Sequence, residues 1–445
     1  MKKVVVMSLL VALGLSGFAQ KNCCPKKDEL KTEIVFPGDW GDKPTLSIPE
    51  VDEIERVENG KRPSMKAMKN TEYILSTATH KAIGDAYVIL TDHTDAEYLK
   101  SLNKLAKYRK AEIIQTADLA NLYKDEKELK KLHKQLMKLK PKYAAIAPRL
   151  ESYRENMLLG VYELLCNLDD DPLLDAYPGV LIASDAEKFE ALVERTINYE
   201  PMTRKALAPA AICMIPNQKE LRSLQKNGII HNLFADYGYD APMLNIYKKN
   251  AVGGPLLSGD KSYNMTMQPK QFVKHIPDSM SSVFIDASLW VLHGHGLPGV
   301  SCGVDIDALS EPLNSKVILC GSCFSASTQH SDLTPMKISP DGFPIVPREA
   351  FALKALDQGA AVVFGHMRLN SGFPRLMPVL ETFLQGRTVG EAYQELINGD
   401  LLKMKFDSHQ LAVREKPENP RRIKQNILLY VLFGDPALQP IEKMM

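Results

Sequence analysis

Short apolar runs alternate with helical periodicity along the first part of the chain, and this alternation restricts the fold more than any other feature. Runs at 87–90, 112–114 and 143–147 have the length and composition of buried strands. Between them, apolar residues recur at the three- and four-residue spacing of one helix face. Alternating strands and helices are typical of βαβ units, in which helices cover a parallel sheet. The sequence therefore predicts an α/β fold with a mainly parallel sheet.

The same alternation resumes in the second half of the chain. Strand-like runs lie there at 210–213, 289–292, 317–320 and 361–364. Between the two regions, Tyr177-Pro178-Gly179 is expected to lead into a short strand at 180–182, and Ser184-Asp185 to cap the helix that follows. We therefore expect two adjacent subdomains, each with a mainly parallel sheet flanked by helices, over 81–205 and 206–445.

The N-terminus predicts export. A positively charged start precedes the apolar run 4–15, and Gly17 and Ala19 supply the small residues that signal peptidase requires. We expect residues 1–19 to be a signal peptide, and 20–80, which is rich in proline and charge, to be a linker or pro-segment. No later stretch reaches the ~18 consecutive apolar residues of a membrane span. This pattern indicates a periplasmic or secreted protein.

The charge balance argues against two classes of partner. Lys plus Arg number 55 against 54 for Asp plus Glu, a formal net charge of +1. A near-neutral balance gives no electrostatic footprint for nucleic acid and no polybasic surface for a membrane. We therefore expect neither nucleic acid nor a membrane surface as a partner.

Seven cysteines in an exported chain leave at least one thiol unpaired, which draws attention to two cysteines at the end of one strand. The run 317–320 ends in Cys320-Gly321-Ser322-Cys323, and the run 289–292 ends in His293-Gly294-His295-Gly296. Ligands bind beyond the carboxyl ends of parallel strands, so these two clusters are expected to share one site. A thiol needs a neighbouring imidazole to form the thiolate and to protonate a leaving group, and small residues let backbone N–H groups face an oxyanion. The paired clusters predict nucleophilic chemistry by a cysteine.

The residues alone leave alternatives open within this site. Cys323 is favoured as the nucleophile over Cys320, because Cys320 lies within the strand run and is expected to pack in the core. Either His293 or His295 could serve as the base. The same two histidines and two cysteines could instead hold zinc, although the wide gap between the pairs disfavours it.

Other polar residues have no firm assignment. Asp286, Asp305 and Asp307 are candidates for a third, orienting carboxylate, and nothing in the sequence selects among them. His366 either lines the cleft or packs in the core. The acidic triplet Asp169-Asp170-Asp171 is most simply an exposed loop, and a structural calcium ion is its alternative.

Five separated segments carry a family resemblance. In chain order they are 177–200, Gly294-His295-Gly296, Ser322-Cys323 with Ser325, Thr388-Val389-Gly390-Glu391-Ala392 and Leu432-Phe433-Gly434-Asp435-Pro436-Ala437-Leu438. They resemble the motifs of the gingipain family of caspase-like cysteine peptidases, over roughly residues 85–440. The resemblance implies a caspase/gingipain-like α/β fold whose second subdomain is catalytic.

The resemblance also implies roles for individual residues. Cys323 would be the nucleophile and His295 the general acid and base, with the backbone N–H groups of Gly296 and Cys323 forming the oxyanion hole. The implied reaction is hydrolysis of peptide bonds through a thioester acyl-enzyme, with proteins or peptides as substrates and no cofactor. The inference from the residues agrees in outline, because Cys–His acyl transfer needs no further group.

Some gingipain features have no match in this sequence. These are the immunoglobulin-like module, the sorting domain for type IX secretion and the residues of an Arg or Lys pocket, so we expect a periplasmic or simply secreted enzyme and predict no P1 residue. Three other functions compete with hydrolysis by cysteine. They are a catalytically silent protein that binds peptides or assists envelope assembly, a transpeptidase that uses the same Cys–His pair, and a zinc-dependent hydrolase.

Overall fold

The computed structural model describes part of the chain. The described residues are 34–35, 45–46, 82–122, 125–169, 173–215, 230, 232–248, 262–267, 284, 286–294, 296–297, 299–302, 304–305, 309, 312–327, 350–367, 376–403 and 429–443. The predicted signal peptide, 1–19, and nearly all of the predicted linker, 20–80, lie outside these residues. Among the described helices, none is long and apolar enough to cross a bilayer.

The first half of the chain forms alternating strands and helices, preceded by a small antiparallel pair. The elements are β1 (Ile34–Val35), β2 (Thr45–Leu46), β3 (Ala86–Thr91), α1 (Ala96–Arg109), β4 (Glu112–Gln115), α2 (Glu126–Leu139), β5 (Pro141–Ala147), a 3-10 turn (Leu150–Ser152), α3 (Glu155–Leu165), β6 (Tyr177–Val180) and α4 (Ala186–Ile197). The strands predicted at 87–90, 112–114 and 143–147 are thus confirmed as β3, β4 and β5.

The second half continues the alternation and adds a small meander. Its elements are β7 (Pro209–Ile215), β8 (Met243–Lys248), β9 (Ser262–Met267), β10 (Leu289–His293), β11 (Gly296–Leu297), β12 (Val300–Ser301), β13 (Val304–Asp305), β14 (Val317–Gly321), α5 (Phe351–Asp357), β15 (Val362–His366), α6 (Met377–Leu384), α7 (Val389–Lys403) and β16 (Tyr430–Phe433). β11, β12 and β13 pair antiparallel in sequence order, and we call this unit the meander.

Eleven strands form one sheet in the order β4-β3-β5-β6-β16-β15-β14-β10-β7-β8-β9. Neighbouring strands are parallel at every step except between β15 and β16, which are antiparallel. The strands of the two halves therefore run in opposite directions and meet at β16, which is the last strand in sequence. The fold is a mainly parallel α/β sheet flanked by helices, as the alternating pattern predicts.

The register of the central strands determines where the polar clusters lie. β10 lies between β14 and β7, and His293 at its end is level with Gly321 on one side and Cys213 on the other. Because β10 and β14 are parallel, the segments that follow them leave the sheet at the same edge.

Capping residues begin two of the helices, and a buried apolar face packs one of them against the rest of the fold. The Asp185 carboxylate accepts a hydrogen bond from the Lys188 N–H (2.9 Å) at the start of α4, which confirms the predicted cap. Asp125 caps α2 in the same way, through the Glu128 N–H (2.9 Å). The apolar residues of α2 recur every three or four positions, which predicts one buried helix face. Leu132 lies on that face and is completely buried.

The strand predicted at 180–182 begins earlier than its pattern indicates. β6 runs from Tyr177 to Val180, so Pro178 and Gly179 are strand residues rather than a turn that precedes one. Gly179 is needed there because a Cβ on it would lie 2.5 Å from the carbonyl oxygen of Gly434. The close approach of a distant backbone segment, which local sequence does not reveal, places these two residues in the sheet.

The segment after β16 joins the two halves of the chain. The Gly434 N–H donates to the carbonyl of Val180 (2.8 Å), the last residue of β6. The Asp435 carboxylate is fully buried and accepts hydrogen bonds from the Tyr87 hydroxyl (2.7 Å) and from Nε of Arg109 (2.7 Å). A buried carboxylate requires such partners, because an unpaired buried charge is strongly unfavourable.

Candidate active site

Cys323 lies on a sharp turn directly after β14. We call residues 322–327 the Cys323 turn. Phe324 adopts a left-handed conformation (φ 58°), which is uncommon for a bulky residue, and its side chain is buried. Backbone strain of this kind clusters at functional sites. The turn leaves the Cys323 side chain 8% exposed at the carboxyl edge of the sheet.

The segment after β10 comes back against this turn. Gly294 has a φ of 151°, and Gly296 then begins the meander. A Cβ on Gly296 would lie 2.5 Å from the carbonyl oxygen of Cys323 and 2.8 Å from Cβ of Ser322, so only glycine permits this approach. The structure thus brings Gly296 and Cys323 together. His295 precedes Gly296 directly in sequence and lies outside the described residues.

Hydrogen bonds of serine hydroxyls hold the Cys323 turn between the meander on one side and β15 on the other. On one side, Oγ of Ser322 lies 2.7 Å from Oγ of Ser301 in the meander. On the other side, Oγ of Ser325 donates to the Ser322 carbonyl (3.0 Å) and accepts from the His366 N–H (3.1 Å) at the end of β15. Sequence reasoning missed the role of Ser301, because no motif includes it.

The first half of the chain also reaches this turn. The hydroxyl of Tyr153, which follows the 3-10 turn, donates to the Ala326 carbonyl (3.0 Å). Its ring packs 5.4 Å from that of Phe433 in β16, and the side chain is fully buried. Tyr153 therefore links the first half to the Cys323 turn across the face of the sheet, and no local sequence pattern predicts this contact.

Burial distinguishes Cys323 from the other described cysteines. Cys320 is completely buried within β14, and burial raises the pKa of its thiol to about 12. Burial likewise raises the pKa of Cys213 and of Cys302, which lie in the core near it. Thiols in such surroundings resist forming the thiolate that a nucleophile requires. These features favour Cys323 over Cys320, as the sequence analysis does.

The two other histidines near the site are buried. His293 is the last residue of β10 and is 4% exposed. His366 is fully buried, and its ring packs edge-on against that of Tyr430 (4.6 Å between centroids). The position of His366 is that of a core residue, the simpler of the two interpretations of its sequence.

Two of the three candidate orienting carboxylates, Asp286 and Asp305, lie in the described part of the chain. Asp286 precedes β10, at the amino edge of the strand, and is therefore far from the Cys323 turn at the carboxyl edge. Asp305 lies in the meander, where it pairs with Val300. Asp307 lies outside the described residues. Of the two described candidates, Asp305 is the one at the carboxyl edge of the sheet, where the Cys323 turn lies.

A metal site is not evident in the part of the chain that the structure describes, since no three His, Cys, Asp or Glu side chains there are arranged to hold an ion. The calcium alternative falls mostly elsewhere, because Asp170 and Asp171 lie outside the described residues. The zinc alternative also depends on His295, whose side chain is not described. Both alternatives stay predictions.

Comparison with solved structures finds a similar fold. The crystal structure of the Arg-specific cysteine proteinase gingipain R (RGPB) matches 81% of this chain and 80% of its own, with 14% identity and a TM-score of 0.53. At this identity the match supports the fold alone. A spinosyn rhamnosyltransferase, SpnG (10% identity, 73% of this chain and 98% of that chain, TM-score 0.20), and a D-2-hydroxyisocaproate dehydrogenase (8%, 61% and 92%, 0.18) are too dissimilar to support any argument.

Sequence comparison identifies the family. No curated protein sequence gives a significant match. The sequence model of peptidase family C25 matches residues 81–441, which is most of the chain and includes both clusters at the strand ends. Members of a peptidase family act on proteins or peptides, which agrees with the predicted substrate class. The chain belongs to peptidase family C25, the gingipain family, and is a cysteine-type peptidase.

Proposed function

We propose that this protein is an exported endopeptidase in which Cys323 is the nucleophile and His295 the general acid and base. The observation that carries the proposal is the contact between Gly296 and the Cys323 turn at the carboxyl edge of β10 and β14. This contact brings the turn that carries the Cys323 thiol against the backbone of Gly296, which is the residue next to His295. The signal-peptide pattern at 1–19 supports the proposal of export.

The proposed reaction proceeds in two halves. His295 takes the proton of the Cys323 thiol, the thiolate attacks the peptide carbonyl carbon, and the backbone N–H groups of Gly296 and Cys323 donate hydrogen bonds to the oxyanion that forms. His295 then gives its proton to the amine that leaves, and a thioester to Cys323 remains. In the second half, His295 removes a proton from water, the hydroxide attacks the thioester, and the carboxylic acid product leaves with the thiol restored.

The order of burial among the thiols supports this assignment. Cys320 is completely inside the sheet, where its raised pKa keeps it protonated at neutral pH. Cys323, three residues later, lies beyond the strand on a turn. Its side chain is 8% exposed, whereas that of Cys320 is completely buried, so of the two thiols Cys323 is the one that a substrate carbonyl can approach from the edge of the sheet.

Labelling of thiols tests the proposal. The chain that starts at Gln20 is incubated with a limiting peptide acyloxymethyl ketone, and the modified cysteine is mapped by mass spectrometry. We expect selective labelling of Cys323, loss of labelling and of peptide hydrolysis in Cys323→Ala, and loss of labelling in His295→Ala. Cys166→Ala, which removes a buried thiol in the first half, is the matched control and should behave as the parent chain.

The same experiment separates hydrolysis from its alternatives. Peptide hydrolysis that persists in Cys323→Ala would refute the assignment of the nucleophile. A folded chain that ignores all peptides and thiol probes would instead be the catalytically silent protein. Transfer of the acyl group to an added amine, identified in the product by mass, would identify a transpeptidase.

A further inference from the structure

The hydroxyl pair Ser301–Ser322 spans the two segments that carry the proposed catalytic groups. We propose that Ser301 is a positioning residue for acyl transfer, which holds the meander against the Cys323 turn through its contact with Ser322. The inference rests on the proposed function, because it assigns a role within the same site.

The register of the meander places Ser301 next to the site. Ser301 pairs with Gly296 across the antiparallel ladder of β11 and β12. Gly296 directly follows His295 in sequence, and Ser322 directly precedes Cys323. The 2.7 Å contact between the two hydroxyl oxygens therefore joins the neighbour of the proposed base to the neighbour of the proposed nucleophile.

A third polar group lies beside the hydroxyl pair. Sγ of Cys302 is 3.8 Å from Oγ of Ser301, which is the distance of a weak hydrogen bond to sulfur. Either serine hydroxyl can be the donor in the 2.7 Å Ser301–Ser322 hydrogen bond, and the contact joins the two segments in both cases. Both serines are fully buried, and a buried hydroxyl without a partner is unfavourable, so the pair strongly prefers to stay in contact.

The contact also sets a distance between two backbones. The Ser322 side chain is close to both Ser301 and Gly296: its Oγ lies 2.7 Å from Oγ of Ser301, and a Cβ on Gly296 would be 2.9 Å from it. A shift of Ser322 away from Ser301 would therefore change the separation of Gly296 from the turn. Displacements of about 1 Å in a catalytic arrangement can lower rates about a hundredfold.

Independent contacts hold the turn from its other side. Ser325 receives the His366 N–H, and the Ala326 N–H donates to the His366 carbonyl (3.1 Å), so β15 fixes the turn without Ser301. Removal of the Ser301 hydroxyl should consequently leave the turn in place and release the meander. The chemical step should suffer more than substrate binding.

Kinetics of four variants test the proposal. They are Ser301→Ala, Ser322→Ala, the double variant and, as a matched control, Ser101→Ala, which removes a buried hydroxyl that donates to the Glu97 carbonyl within α1. We expect either single substitution at the pair to lower kcat by about tenfold to a hundredfold, with KM changed less than about threefold. The double variant should lose no more than the worse single variant, because both remove one contact. The control should keep its kcat within about twofold of the parent value.

A second measurement needs no peptide substrate. Alkylation of Cys323 by iodoacetamide is followed from pH 5 to 10, with the site mapped by mass spectrometry, and the melting temperature of every variant is recorded. We expect the pH profile of alkylation to change in Ser301→Ala and in Ser322→Ala, and to stay unchanged in Ser101→Ala. If one of the two fails to fold, the other tests the same contact from its other side.

The outcomes separate this proposal from the proposed function. A parent chain without peptidase activity would contradict the proposed function, and a changed alkylation profile would still support the positioning role of Ser301. Unchanged kcat and unchanged profiles, multiplicative losses in the double variant, or an equal loss in Ser101→Ala would each overturn that role.

Discussion

Lys316 is buried where the two central strands begin, and this position makes the stability of the fold depend on pH. The residue precedes β14, and its ammonium donates to the carbonyl of Ala287, just before β10, and lies 4.5 Å from the ring centroid of Trp290. Its side chain is almost completely inaccessible to solvent. Burial lowers the pKa of Lys316 from 10.5 to about 7, against the opposing effect of the Asp286 charge.

The sign of the effect follows from proton uptake. Since the pKa is lower in the folded state, the unfolded chain binds more protons between pH 7 and 10.5, and the free energy of unfolding rises with pH through that window. At about 1.36 kcal/mol per pKa unit, the whole window corresponds to about 5 kcal/mol. About 2 kcal/mol of this falls between pH 7 and pH 9, and little falls below pH 6, where both states are protonated.

Urea unfolding at pH 7, 8 and 9 measures this dependence. The parent chain is compared with Lys316→Met, which keeps the apolar stem and removes the amine, and with Lys205→Met at an exposed position. Subtraction cancels the titration of all other groups. From pH 7 to pH 9, we expect the free energy of unfolding of the parent minus that of Lys316→Met to rise by about 2 kcal/mol. The same difference taken against Lys205→Met should stay constant. If the difference against Lys316→Met does not change with pH, the amine is not held in a desolvated position and the reasoning is refuted.

Two further substitutions test close contacts of the fold. Gly296→Ala should lower kcat/KM at least about a hundredfold while the chain stays folded, because the new Cβ overlaps the Cys323 carbonyl. Gly238→Ala is the control for a strained glycine substitution away from the site: its Cβ would meet no atom within 4 Å, but its φ of 82° costs an alanine about 1 kcal/mol of stability, so it should lower the melting temperature and keep kcat/KM. Equal activity in both variants would contradict the contact. Asp435→Asn should lower the free energy of unfolding, measured in urea, by about 3 kcal/mol, because it leaves the Arg109 guanidinium without its charged partner. A loss below about 1 kcal/mol would mean that the Arg109–Asp435 ion pair contributes little to stability.

The sequence predicts those strands that are buried on both faces. β10 and β14 are continuous apolar runs bounded by small residues, and both appear within one residue of their predicted positions. β8 and β9 were not predicted. They lie at the end of the sheet and have no continuous apolar run, since β8 (Met243–Lys248) contains Asn245 and Lys248 and β9 (Ser262–Met267) alternates polar with apolar residues. The search for apolar runs that finds the central strands therefore passes over them.

The location of β16 could not be derived from local pattern either. The motif that contains it is evident in the sequence, but its insertion between β6 and β15 depends on pairing with residues more than 60 positions away. The same limit explains why β6 starts at Tyr177 rather than at Val180. The packing of Gly179 on Gly434 decides that boundary, and neither segment reveals the other.

The candidate site was predicted to the extent that it follows from topology. Parallel strands end at a common edge, so the proximity of Gly296 and Cys323 follows from two apolar runs and their direction. The roles of Ser301 and Tyr153 do not follow, because each depends on one hydroxyl that reaches a distant segment in three dimensions. Serine and tyrosine occur throughout the chain, and nothing in their neighbours marks these two.

Close contacts between backbone segments restrict the choice of residue in this protein more than the packing of its core does. An apolar core can exchange side chains of similar volume, which is consistent with a shared fold at 14% identity to gingipain R. Gly179 and Gly296 lack that freedom, because a Cβ at either position would lie 2.5 Å from a carbonyl oxygen that belongs to a distant segment. The first contact joins the two halves of the sheet, and the second joins the meander to the Cys323 turn. Both the fold and the site therefore depend on glycine at these two positions, because any larger residue would push the two backbone segments apart.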